Sequence, residues 1–288
     1  MIDLKEKLSS FKKYCADIYN LMKKPVVSVL SGHISYFFLL SAIPIILIIG
    51  IAANTFSFSI ESFINFLKVS LPLSTSDLII PLFSGKALSI NLVILIISAL
   101  YLISRGTKAI IYAASSVYNV KTNFYKDTIK SFVITLLLFG LSIFIIMILI
   151  VGGKFLLILS ELPNLDIIST NSVKLFNWLK WPVSVIVIYF TLKIIYVLTP
   201  NKSISIKSVT KGSLFTTIFW IISTSIYSFY VTNFLSPNTY FGSAFSIVVL
   251  MVWIWIMAFI FVIGLIINAV EEKHNYIDLE KTLTNIMK

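Results

Sequence analysis

From Ser243 to Ala269 the chain runs 27 residues without a charge. At about 1.5 Å rise per residue, a helix of that length reaches ~40 Å, enough to cross a ~30 Å hydrocarbon core. Backbone N–H and C=O groups cannot stay unpaired in lipid, so such a run must be helical. Gly242 marks its entrance, after the turn-like Ser236-Pro237-Asn238-Thr239. Asn268 marks its exit, on the apolar side of Glu271 and Glu272.

Composition points the same way. Hydrophobic residues make up 58% of the chain and charged residues 12%, where a soluble domain carries about 25% charged. Cys15 is the single cysteine, which leaves no intrachain disulfide and no cysteine cluster for a metal. Residues 1–24 are lysine-rich and lack the continuous apolar stretch of a cleavable signal, so the first span is expected to act as its own insertion signal.

The pattern predicts an all-α integral membrane protein in three parts: an amphipathic helix over 1–24, a six-span domain over 25–272 and a tail over 273–288. In the first part Leu4, Leu8, Phe11, Cys15, Ile18 and Met22 form one helical stripe. That stripe suits either the membrane interface or packing on the rest of the protein. The spans are expected near 32–52, 88–104, 131–151, 181–199, 213–233 and 243–269. Pro44 lies within the first and predicts a kink near Leu40–Ser41. Residues 53–87 read as two short interfacial helices, broken by Pro72 and Pro81. The second span is expected to end at Ser104, with a basic loop from Arg105 to Lys130. Lys193, inside the fourth span, is expected to snorkel to its basic end. The fifth span is rich in hydroxyls, among them Thr216, Thr217, Ser223, Ser225 and Tyr227. They serve either as contacts between helices or as a polar face on a cavity.

Charge sets the expected orientation. Lys and Arg number 17 on the side that holds both termini and 5 on the other. The positive-inside rule then places both termini in the cytoplasm of a bacterial inner membrane. The net charge of +11 is accounted for by topology and by anionic lipid headgroups. Nucleic acid is not an expected partner, because binding it takes a clustered basic face with stacking aromatics.

Four blocks resemble a known family. Ile34-Ser35-Tyr36-Phe37-Phe38-Leu39-Leu40-Ser41-Ala42-Ile43-Pro44 resembles the "LAYYTLLSLFP" signature of the YihY/virulence factor BrkB family. Ser104-Arg105-Gly106 with Val117-Tyr118 resembles its "ASRG…IY" block. Tyr240-Phe241-Gly242-Ser243 resembles its "YGS" entrance, and Gly264 to Ala269 its "GAELNA" exit. The resemblance runs from about residue 20 to about residue 275. It implies a polytopic inner-membrane protein with a role in the envelope, transport being among the proposals. An old family name, ribonuclease BN, attached a tRNA-processing activity that is regarded as a misassignment. Two departures stand out: Ile266 where the family often has Glu, and Ser115 where it often has Asn. All twelve acidic residues lie outside the expected spans, so no intramembrane carboxylate is available for ion coupling.

Three function classes remain. For an enzyme, the histidines are His33 and His274 only. There is no Asp/Glu/His cluster at ligand spacing, no phosphate loop and no GxSxG. Catalysis is therefore not expected, and no cofactor or metal is implied. A carrier or channel for a small solute, an anion or a lipid headgroup is the leading reading. A non-transporting envelope assembly factor is the alternative, and a homo-oligomer is compatible with either. For the carrier, a polar site is expected at the cytoplasmic side from Ser35, Tyr36, Ser41, Arg105 and Asn268, with Pro44 and Gly242 as hinges. Arg105 would supply a planar charged fork, Asn268 a neutral donor and acceptor, and Ser35 a small hydroxyl.

Overall fold

The computed structural model describes residues 2–24, 27, 29–40, 92–138, 140–141, 170–234 and 242–286. Among these residues the regular elements are helices, with no strand. They are α1 (Ile2–Met22), α2 (Val29–Leu40), α3 (Leu92–Val117), α4 (124–138), α5 (Thr170–Leu198), α6 (Thr210–Phe234) and α7 (Gly242–Ile286). Within them, Thr210–Phe234 and Ile247–Asn275 are long and apolar enough to cross a membrane. Ser41, Pro44, the interfacial pieces over 53–87 and most of the third expected span lie outside the described residues.

The central helix is α7, which packs against α6, α3 and α1, while α6 also packs on α5. The core gathers at the basic end of the bundle: Leu30 and Ile34 from α2, Ala109 and Ala113 from α3, Leu192 from α5, and Val262 and Leu265 from α7. Toward the opposite end α6 presents Ile222, Ile226 and Phe229 outward, all exposed. In water such a surface would be unstable. In a bilayer it is what lipid tails require.

Charge ends the apolar run of α3 but not the helix. The expected stop at Ser104 is replaced by a helix that runs through Arg105 and Lys108 to Val117. Hydropathy reports where a helix leaves lipid, not where it stops. The true end is a Schellman turn. Asn119 takes φ 54°, and the N–H groups of Asn119 and Val120 donate to Ser116 O (3.2 Å) and Ser115 O (2.8 Å). For the same reason α5 begins at Thr170, ahead of the expected Trp181, with Pro182 inside it. α7 likewise continues through the expected tail to Ile286.

The N-terminal helix docks on the protein. Ile18, Leu21 and Met22 pack against the core, and Asp17 meets His274 of α7 at 3.2 Å. The buried face is rotated from the expected stripe, leaving Cys15 exposed. The partner explains the rotation. α7 presents Glu271, Lys273 and His274 there, which draws Tyr14 and Asp17 inward: the Tyr14 ring meets the His274 ring edge-on at 5.5 Å.

Candidate functional site

Three polar assemblies lie at the basic end. The innermost is where α6 crosses α7. Gly212 and Gly264 face each other so closely that a Cβ on Gly212 would run into Gly264 O and Asn268 Oδ1. A Cβ on Gly264 would run into Thr216 Oγ1 and the Tyr196 hydroxyl. Small residues at such a crossing let backbones approach and let polar side chains bond across. The Tyr196 hydroxyl of α5 donates to Phe261 O (2.9 Å) and lies 2.7 Å from Thr216 Oγ1. Its single hydrogen goes to the carbonyl, so Thr216 donates to Tyr196. Asn268 Oδ1 accepts the N–H of Gly212 at 2.8 Å. Gly212 is in the first turn of α6, where N–H groups have no partner within their own helix.

Among the described residues five buried side-chain polar atoms have no hydrogen-bond partner: Tyr14 Oη, Ser115 Oγ, Tyr118 Oη, Trp253 Nε1 and Asn268 Nδ2. Asn268 and Ser115 are both 0% exposed. An orphaned buried polar group costs roughly 1–3 kcal/mol; of the five, Asn268 belongs to the α6–α7 crossing and Tyr118 lines a cavity. Tyr118 lies within electrostatic reach of Tyr196 on one side and Glu272 on the other. Burial, helped by Glu272, pushes its hydroxyl above the usual tyrosine range.

Outward from Tyr118 is an open cavity of about 610 Å³, bordered by α1, the end of α3, the segment after α5 and α7. Its charged lining is Lys24, Lys202 and Lys273 with Asp17 and Glu272. Lys273 lies 3.9 Å from Asp17. Next to Glu272 in the chain, Glu271 pairs with Lys211 at 2.8 Å.

The third assembly ties α4 to α5. Lys130 Nζ donates to Thr199 O (3.1 Å), Pro200 O (2.8 Å) and Asn201 Oδ1 (3.0 Å). It thereby caps the C-terminus of α5, where carbonyls lack partners and the dipole favours a cation. Asn201 Nδ2 donates to Asp127 Oδ1 at 2.7 Å, and Asp127 Oδ2 accepts the N–H of Asn123 at 3.0 Å. Asp127 is only 4% exposed. Burial pulls the Lys130 ammonium below the usual lysine range, with Asp127 opposing.

The residues expected to form one polar site have separate partners. Asn268 bonds Gly212. Ser35 Oγ donates to Gly32 O in its own helix at 2.9 Å, and Tyr36 is exposed. Arg105 directs Nε to the Tyr101 hydroxyl at 3.1 Å. No hydrogen bond joins Ser35, Arg105 and Asn268 to one another among the described residues, although α2 and α3 meet where Gly106 abuts Phe37. Gly242 is the first residue of α7; Ser41 and Pro44 lie outside the described residues. Lys193 does not snorkel to the basic end: its Nζ lies 3.5 Å from the Tyr189 hydroxyl, one turn the other way, because helix side chains lean toward the N-terminus.

Thr216 and Thr217 are buried, whereas Ser225 and Thr232 are exposed and donate to the carbonyls four residues back. The hydroxyls of α6 are thus helix contacts at one end and self-satisfied at the other. Sequence reasoning missed Tyr196, Gly212 and the Asp127–Asn201–Lys130 linkage, and noted Tyr118 only for its place in a family block. The small-residue spacing Gly212/Thr216 against Gly264/Asn268 was the available signal. Among the described residues no group of three or more His, Cys, Asp or Glu is placed to hold a metal ion.

The family model described as Virulence factor BrkB matches residues 18–284. "Putative ribonuclease-like protein YfkH" of Bacillus subtilis (strain 168) is 28% identical over 256 residues, which cover 84% of this chain and 89% of that protein. "UPF0761 membrane protein" of Vibrio atlanticus (strain LGP32) is 25% identical over 252 residues, covering 84% and 77%. "UPF0761 membrane protein VP0125" of Vibrio parahaemolyticus serotype O3:K6 (strain RIMD 2210633) is 22% identical over 295 residues, covering 96% and 89%. No solved structure matches the chain. Together with its apolar helices, these likenesses make the chain a membrane protein.

Proposed function

This chain belongs to the virulence factor BrkB family, and we propose that it is a carrier of a small anionic solute or lipid headgroup. It crosses the bacterial cytoplasmic membrane six times, with both termini in the cytoplasm. The 17-to-5 division of Lys and Arg supports that orientation. The observation that carries the function is the orphaned buried hydroxyl of Tyr118, which lines a cavity carrying three lysines and two carboxylates, with the orphaned amide of Asn268 next in the chain to its wall residues Ala269 and Val270. A purely structural bundle gains nothing from leaving buried polar atoms unpaired. A carrier does, because polar groups left unpaired at rest can pair with a ligand in passage. In this reading Asn268 belongs to this tract and Ser35, Tyr36 and Arg105 contribute nearer the lipid, while Ser41, the remaining member of the expected set, lies outside the described residues. Pro44 and Gly242 are the hinges of this reading.

Nucleic acid is not a partner in this reading, and the ribonuclease-like name of one relative is not extended to this chain. The test is ligand-dependent stabilisation of the purified protein over a panel of inorganic anions, phosphorylated solutes and lipid headgroups. A true ligand at 100 times its Kd adds about 2.7 kcal/mol, or roughly 5–10 °C for a chain of this size. No stabilisation by any anion would return the protein to the assembly-factor reading.

A further inference from the structure

We propose that the groove between α3 and α4 is a site for one anionic glycerophospholipid, its phosphodiester held between Arg105 and Lys108. The groove encloses about 410 Å³, and Tyr101, Arg105, Lys108, Phe124, Phe132 and Val133 line it. Arg105 and Lys108 are three residues apart on α3 and so share one face. Each cation is steadied by a ring: Arg105 lies over Tyr101 at 5.1 Å and Lys108 over Phe124 at 3.6 Å. Neither has a carboxylate partner among the described residues. Both keep donors to spare. Lys108 gives one N–H to Thr128 Oγ1 at 2.7 Å, and Arg105 directs Nε and Nη2 to a single hydroxyl, which leaves Nη1 open among the described residues. Two cations with open donors match a phosphodiester.

The rest of the groove argues for a lipid and not a free anion. Phe132, Val133, Leu136 and Leu137 of α4 are all exposed and run from the cationic end along the helix. They offer an acyl chain a continuous apolar wall. Thr107 and Thr135 pin α3 to α4 at 2.7 Å, so the groove keeps its shape without the lipid. The site shares Arg105 with the carrier reading but none of the lining of the cavity beside Tyr118, and Lys108, which the carrier reading does not use, tests it apart from that reading.

The test uses the full chain reconstituted with equal amounts of phosphatidylglycerol and phosphatidylcholine, with the retained lipid quantified by mass spectrometry. The parent is expected to retain phosphatidylglycerol preferentially. Arg105→Gln and Lys108→Gln should each lower that preference roughly fivefold, the worth of one cation near an anionic surface. Lys126→Gln, an exposed cation on α4 outside the groove, should leave it unchanged. If Arg105→Gln fails to fold, Lys108→Gln alone decides. An unchanged preference in the Lys108 variant, or an equal loss in Lys126→Gln, overturns the proposal. So does displacement of the lipid by water-soluble glycerol phosphate at equal concentration, which would mark a free-anion site.

Discussion

Asn268 of α7 caps α6 from outside: its side-chain oxygen accepts the N–H of Gly212 at 2.8 Å, at the crossing where Gly212 also faces Gly264 O. One residue thus completes a helix terminus that its own sequence leaves bare. The Tyr196 hydroxyl binds the same two helices one turn further in, through Thr216 and Phe261 O.

Asn268→Ala should destabilise the protein by about 1 kcal/mol or more, because a buried Gly212 N–H without an acceptor and the cavity left behind together outweigh the relief from losing the orphaned Nδ2. Equilibrium unfolding in mixed micelles measures this. A variant as stable as the parent would mean that the cap carries no weight.

Glycine substitutions should divide by site. Gly264→Ala places a methyl against Thr216 and Tyr196, and overpacking of this kind costs about 1–3 kcal/mol or more. Gly106→Ala meets its nearest neighbours in Phe37 at 3.8 Å, an ordinary contact. It should gain up to about 1 kcal/mol from helix propensity. Unfolding of the two variants side by side checks the sign of each.

Lys130→Gln removes the cation from the C-terminus of α5 and the charge beside Asp127. The loss should be about 1–3 kcal/mol, with most of it due to partners left unpaired. Faster hydrogen exchange confined to the last turn of α5 and the start of α4 would accompany it. Uniform change across the chain would contradict the local role.

What the sequence made legible follows from what each signal measures. The uncharged run gave α7 its start to within one residue, since Gly242 is where both turn chemistry and hydropathy change. The fifth span, expected over 213–233, is α6 over Thr210–Phe234, because the polar flanks there coincide with the true helix ends. For α3 the flank at Arg105 and the end at Asn119 are fourteen residues apart, and hydropathy sees only the first. The site was harder. Asn268 was visible as an amide at the edge of an apolar run. Its partner, a backbone N–H on Gly212, has no side chain to be noticed. Tyr118 was quoted for its place in a block, but its burial depends on how α3 meets α7, which periodicity does not encode.

Topology can be read directly. Reporter fusions at Asn123, Ser205 and Asn285 should report the cytoplasm, and fusions at Ser57, Asn171 and Asn238 the outside. A cytoplasmic signal at Asn238 would break the six-span arrangement.

The account rests on the claim that the orphaned groups await a ligand, and Tyr118→Phe tests it most directly. The hydroxyl has no hydrogen-bond partner among the described residues, so its removal should leave the unliganded protein as stable as the parent, or up to about 1–3 kcal/mol more stable. The same variant should lose most of the stabilisation that anions give the parent in a thermal scan. A Tyr118→Phe protein that keeps the full anion-dependent shift would contradict the account.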